Sequence, residues 1–151
     1  MKKTGQEYDI LKLSNQVCFP LYACSKELVR QYGPYLKKLG LTYTQYIVMM
    51  VMWEKESASS RELAESLHLD YGTLTPVLKR LESSGYIKRE RSNEDERLLT
   101  LTLTSSGKKL KDKAVDIPHC IAGCMGLNEK EFKELYVLTY KALKNMETCN
   151  A

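Results

Sequence analysis

The residues of this 151-residue chain with the widest choice of chemistry are its five cysteines, Cys18, Cys24, Cys120, Cys124 and Cys149. Their number is odd and their spacing irregular, and no apolar run follows Lys2-Lys3 that could serve as a signal peptide. Both features predict a cytosolic protein with free thiols. A free thiol that matters acts through reactivity, metal binding or a transient bond. His119-Cys120-x-x-x-Cys124 lacks the paired spacing of a four-ligand zinc site, so no metal and no cofactor is expected. His68 reads as a turn residue and not as a base, and nothing beyond the cysteines could turn over a thiol peroxidase, so the chain is not expected to be an enzyme.

A second group of side chains could touch nucleic acid. Ser59 and Ser60 are N-cap residues for a short amphipathic helix through Arg61–Leu67, with Leu63, Ala64 and Leu67 on one face. A turn at His68–Tyr71 leads through Gly72 and Thr73 into a second helix with the apolar stripe Leu74, Val77, Leu78 and Leu81. Pro76 is expected in its first turn, and Ser84-Gly85 ends it. Tyr86–Arg91 and Leu98–Leu103 read as two strands around a turn at 92–96. Helix, turn, helix, hairpin is the order of a winged helix-turn-helix, whose second helix enters a major groove while the hairpin reaches a neighbouring minor groove. Thr73 and Thr75 near the helix start, Lys79 and Arg80 off its apolar stripe, and Arg91 or Arg97 on the hairpin are the candidate contacts. Between Tyr71 and Arg91 five basic residues face two acidic ones, so this segment is locally basic, whereas the net charge of +4 is only permissive.

The flanking segments must hold this reading head. Ile10, Leu13, Val17, Leu21, Cys24 and Leu28 step by three and four, which predicts one long helix ending near Tyr32-Gly33-Pro34 and kinked at Pro20. A short turn over Pro34–Lys38 closes at Gly40, and Thr42 caps a core helix over Tyr43–Glu54 whose Tyr46, Ile47, Met50, Val51 and Trp53 surround it. Thr104 begins a lysine-rich helix broken or bent by Pro118 and Gly123, and Asn128 with Glu131 caps a last helix carrying Phe132, Leu135, Tyr136, Leu143 and Met146. The fold class is mainly α with a two-stranded β wing: one winged helix-turn-helix domain, with residues 42–104 reading DNA and the helices at 8–33 and 105–148 forming a dimerisation region. Apolar helices at both ends predict a homodimer that sets two reading heads about one DNA turn, ~34 Å, apart on an inverted-repeat operator. No segment is long and apolar enough to span a membrane.

Several longer patterns carry a resemblance. Asp95-x-Arg97 followed by Leu103-Thr104-x-x-Gly107 resembles the wing of the MarR family of winged-helix transcriptional regulators. Leu13-x-Asn15-Gln16-x-Cys18-Phe19-x-Leu21-Tyr22-Ala23, Leu41-Thr42-Tyr43-x-Gln45-Tyr46, Leu69-Asp70-x-Gly72-Thr73-Leu74-Thr75-Pro76-x-Leu78 and Glu94-Asp95-Glu96-Arg97 are similar to that family's OhrR-like subgroup of organic hydroperoxide sensors. The resemblance implies a dimeric DNA-binding repressor in which Cys18 senses peroxide, with Tyr32 and Tyr43 of the partner subunit as hydrogen-bond donors to the sulfur and Tyr22 nearby. It also implies Asp95 as part of the DNA-binding wing, and Cys120 or Cys124 as a resolving thiol. Two departures are Pro20, where an apolar residue is usual, and Thr44, where a proline is common.

The chemistry such a site needs is a thiolate that attacks the distal peroxide oxygen and expels an alkoxide. Hydroxyl donors stabilise that anion, and the apolar neighbours Val17, Phe19 and Leu21 favour an organic over an inorganic peroxide. The sulfenic acid that forms becomes a larger perturbation when it condenses with a second thiol. The competing expectation is a MarR-type regulator released by a small phenolic or other ligand in the dimer cleft, with Cys18 inert.

Overall fold

Local sequence sets the element starts. The Thr42 hydroxyl accepts the Gln45 N–H at 3.3 Å while the Gln45 carboxamide accepts the Thr42 N–H at 2.7 Å, and Ser59 repeats the exchange with Glu62 at 3.1 and 2.7 Å. These capping boxes open α2 and α3 in the computed structural model, which describes residues 5–91 and 99–149. The order is α1 (Cys18–Leu39), α2 (Tyr43–Lys55), β1 (Ser57–Ser59), α3 (Ser60–Leu67), α4 (Tyr71–Ser83), β2 (Ile87–Arg91), β3 (Leu99–Leu103), α5 (Ser105–Ala114), α6 (Ile117–Cys124) and α7 (Glu129–Cys149). Two compact units, Met1–Ile117 and Pro118–Ala151, divide the chain just inside α6.

In the first unit α2 is the axis of the core. Tyr46, Val48, Met49 and Met52 are buried, and α1, α3, α4, α5, β1 and β3 all pack around this helix. Burying each such side chain contributes about 1.5–3 kcal/mol, which makes α2 the main source of tertiary stability. The expected all-round burial is incomplete: Met50 is exposed, and Ile47 and Val51 are half-buried. The sheet is antiparallel in the order β1-β3-β2, with Ala58 and Arg89 flanking Leu101 and Ile87 opposite Leu103. Its two-stranded wing matches the expected hairpin, while β1 is an additional third strand too short to show an alternation in sequence.

Several expectations for the first helix are corrected. Ile10 and Leu13 lie in 3₁₀ turns, Gly5–Leu11 and Leu13–Asn15, and α1 begins only at Cys18. The reason is competition from side chains: the Asn15 amide donates to Asp9 O at 2.8 Å and the Gln16 amide donates to Ile10 O, taking carbonyls a helix would use. Pro20 is therefore in the first turn, where its missing N–H has no partner to lose, and it does not kink a helix interior. At the other end α1 runs through Gly33 and Pro34 to Leu39, so the turn expected over Pro34–Lys38 is helical. Pro34 costs about 3 kcal/mol and leaves the Arg30 carbonyl without its ladder donor. Leu36 and Leu39 beyond it are buried, and two such leucines at about 1.5–3 kcal/mol each outweigh that loss. Gly40, at φ +69°, ends the helix, with Leu41 N–H donating to Leu36 O at 3.0 Å.

The α4 start is corrected in the same way. Asp70 stands at the N-cap and α4 begins at Tyr71, inside the turn expected over His68–Tyr71, which places Pro76 in the second turn and not the first. At the end of the wing Thr104 caps α5: its hydroxyl accepts the Gly107 N–H at 3.0 Å and donates to Gly85 O at 2.6 Å. Gly107 is required here, because a Cβ would lie 2.2 Å from Tyr86 O, and its carbonyl accepts the Trp53 indole N–H at 2.8 Å. α5 stops at Ala114, four residues before Pro118, so the break precedes the proline that was expected to cause it.

In the second unit Asn128 and Glu131 form the expected reciprocal cap, at 2.9 and 3.0 Å, and open α7. α7 buries no residue, and Tyr136, Val137, Leu138, Tyr140 and Met146 along it are exposed. Cys149 belongs to its last turn and not to a tail. Among the described residues no helix is long and apolar enough to cross a membrane.

Candidate nucleic-acid interface and redox site

The outward face of α4 is defined by what its other face buries. Leu74, Leu78 and Leu81 are sealed in the core, which turns Thr73, Thr75, Lys79 and Arg80 outward, all of them exposed. The Asp70 carboxylate accepts both the Thr73 N–H at 2.8 Å and the Thr73 hydroxyl at 2.7 Å. These donors hold the Asp70 carboxyl below its usual range, the Thr73 hydroxyl contributing most. Thr73 is thus positioned by the cap, with oxygen lone pairs still open, while Thr75, two residues along, is exposed. Tyr71, 53 % exposed as the first residue of α4, joins this face, and the Arg61 guanidinium of α3 is close enough to feel its phenol. Both were passed over in sequence; an exposed aromatic at a helix start beside a cation was the available signal.

An ion pair links the wing to α4. The Arg89 guanidinium of β2 donates to the Glu82 carboxylate of α4 at 2.7 Å, and Arg89 holds that carboxyl below its usual range. This fixes the hairpin base to the end of the helix. Arg91 has its backbone in β2, but its side chain lies outside the described residues, as do Asp95 and Arg97 entirely.

Cys18 is exposed and is the first residue of α1, in whose first turn the Phe19 and Leu21 N–H groups donate to Gln16 O and Val17 O at 3.3 and 3.4 Å. Around it Val17 is 76 % exposed and Phe19, Leu21 and Tyr22 are exposed as well. Tyr22 is four residues on and therefore on the same helix face as the sulfur. Tyr32 and Tyr43 come together at a centroid distance of 5.0 Å, with Tyr46 5.6 Å from Tyr32. Burial pushes the Tyr32 phenol up to about 12, with Tyr43 and Tyr46 adding to the rise, and burial raises Tyr43 too. Both are hydrogen-bond donors at neutral pH. Tyr32 lies fourteen residues along α1 from Cys18, roughly 21 Å at 1.5 Å per residue, so the pair does not serve the sulfur of its own chain.

Cys120 and Cys124 are exposed on α6, one turn apart, and the Cys124 thiol donates to Cys120 O at 3.3 Å. Cys24 and Cys149 are exposed and free. Among the described residues no three His, Cys, Asp or Glu side chains converge as a metal site would need.

Residues 30–114 match the family model described as transcriptional regulator SarA/Rot. The chain is 45 % identical over 144 residues to the organic hydroperoxide resistance transcriptional regulator of Bacillus subtilis, covering 95 % of this chain and 98 % of that one. It belongs to the MarR-type family of winged-helix transcriptional regulators. Among solved MarR-type structures, reduced AbfR bound to DNA, from a protein of Staphylococcus epidermidis, is similar at 32 % identity with a TM-score of 0.80, covering 96 % and 99 % of the two chains. Disulfide-formed AbfR, at the same identity and covering 97 % and 98 %, gives only 0.61.

Proposed function

We propose that this chain is a dimeric DNA-binding transcriptional repressor that organic hydroperoxides release from an inverted-repeat operator by oxidising Cys18. The observation that carries the reading is an exposed thiol at the head of α1, ringed by uncovered apolar side chains, while two protonated phenols wait in a half-buried cluster out of its own reach. A second subunit supplies what one chain lacks: Tyr32 and Tyr43 of the partner subunit donate to the Cys18 sulfur, and its helices cover Val17, Phe19 and Leu21. On this reading residues 8–33 and 105–148 are the dimerisation helices and 42–104 the DNA-reading region. Thr73, Thr75, Lys79, Arg80, Arg91, Asp95 and Arg97 form the DNA contacts. Relatives that are an organic hydroperoxide resistance regulator and a regulator solved on DNA in its reduced form support the same effector and ligand.

In the reaction the Cys18 thiolate attacks the distal oxygen of the hydroperoxide, the O–O bond breaks, the alkoxide leaves and takes a proton, and the sulfur becomes a sulfenic acid. Attack by a second thiol, Cys120 or Cys124, then expels water and forms a disulfide. Either product displaces the phenols that held the thiolate and re-seats α1 against its partner, so the two reading heads lose their spacing.

Fluorescence anisotropy on a duplex selected by the protein from a random pool tests this, with and without cumene hydroperoxide. The wild type is expected to release on oxidation and Cys18→Ser to bind equally well and stay bound. Release of the serine variant by the hydroperoxide would overturn the proposal in favour of an inert Cys18.

A further inference from the structure

Cys120 and Cys124 place two exposed, free sulfurs on one face of α6, one helical turn apart. The Cys124 thiol already leans back along the helix toward Cys120, donating to its carbonyl at 3.3 Å. Residues four apart on a helix hold their Cβ atoms about 5–6 Å from each other, whereas a disulfide needs about 3.8 Å, so these two cannot bond directly while α6 stays wound. One ion held between the two sulfurs needs no such approach: two metal–sulfur bonds, at about the 2.3 Å of a zinc–thiolate bond, let the sulfurs stand up to roughly 4.6 Å apart. Coordination number then selects the ion. Zinc demands four ligands, and among the described residues no third His, Cys, Asp or Glu converges on the pair. Two thiolates alone suit a soft monovalent ion, and thiolate softness selects Cu(I).

We propose that Cys120 and Cys124 form a two-thiolate site for Cu(I). On binding, two S–H bonds break, two copper–sulfur bonds form, two protons pass to solvent and no electron moves. Cys18 is not a ligand, but Cys120 and Cys124 must both be reduced for the site to form, so copper and the disulfide of the peroxide reading exclude one another and Cys18→Ser separates the two.

The test is anaerobic titration of the full-length protein with Cu(I) against a chromogenic copper(I) chelator, for the wild type, Cys18→Ser, Cys120→Ser, Cys124→Ser and the Cys120→Ser/Cys124→Ser double variant. Circular dichroism checks that each variant is folded. About one equivalent per chain is expected to resist the chelator in the wild type and in Cys18→Ser. Loss of either α6 thiol should weaken retention at least tenfold, as expected when a two-ligand site keeps one ligand. Retention unchanged in the double variant, loss in Cys18→Ser, or preferential uptake of zinc from an equimolar mixture would each overturn the proposal.

Discussion

Two residues in the first unit have environments sharp enough to predict from. Gly107 has no room for a Cβ beside Tyr86 O and also anchors the Trp53 indole. Gly107→Ala is expected to lose about 1–3 kcal/mol in urea denaturation, as overpacked sites do, while Ser106→Ala, on the exposed side of the same turn, changes little. Tyr32 titrates near 12 in the fold against an ordinary value of 10.0. A raised acid favours folding below its unfolded value and stops doing so as pH climbs through the folded one. The wild type should therefore lose stability between pH 10 and 12 more steeply than Tyr32→Phe, as thermal melts across that range will show. Single residues with a local job were the most legible in sequence. Thr42, Ser59, Thr104 and Asn128 cap helices as their spacing announced, because a cap depends only on residues three places away. Tyr71 and Arg61 were not legible, since their proximity joins two helices across a turn.

Helices and strands carry the next predictions. Asp70 both starts α4 and holds Thr73, so Asp70→Ala is expected to weaken DNA binding by roughly three- to tenfold, with Asp70→Ser restoring most of it. Because the Asp70 carboxyl is depressed below 3.8, its contribution is complete above that pH and disappears as acid protonates it. Arg89→Ala removes the ion pair between the wing and α4 and should lower affinity for the duplex about two- to fivefold by anisotropy. The elements were read correctly where hydrophobic stripes were strong, as in α4. They were misjudged at three prolines: Pro20 was expected to kink a helix interior, Pro34 to end a helix and Pro76 to lie in a first turn. Pro20, Pro34 and Pro76 all sit within helices, in the first of these because the position tolerates it and in the second because buried leucines beyond it outweigh the lost bond. Neither fact is visible without knowing where a helix begins or what covers its far end.

At the scale of the whole molecule, the exposed apolar surface is the property to explain. Leu21 on α1 and Leu138 on α7 lie in two separate exposed stretches, each rich in large apolar side chains. Leu21→Glu or Leu138→Glu is expected to shift the protein from dimer toward monomer in light scattering at micromolar concentration, and to abolish tight binding to a two-half-site duplex. The sequence periodicity had already implied a covering partner, because helical stripes wider than the small reading head can bury are apparent from spacing alone.

The absent backbone bond at Pro34 has a mechanical meaning. It separates α1 into a stiff outer rod of sixteen residues, Cys18 to Gly33, and an anchored root at Leu36 and Leu39. A rod about 24 Å long turning on that joint magnifies a small rotation at the root into a wide sweep of its tip. Work done at the tip returns to the root as torque against α2, whose packing also seats α3 and α4. Replacing Pro34 with alanine would weld the joint, and amide exchange around Arg30 should slow accordingly.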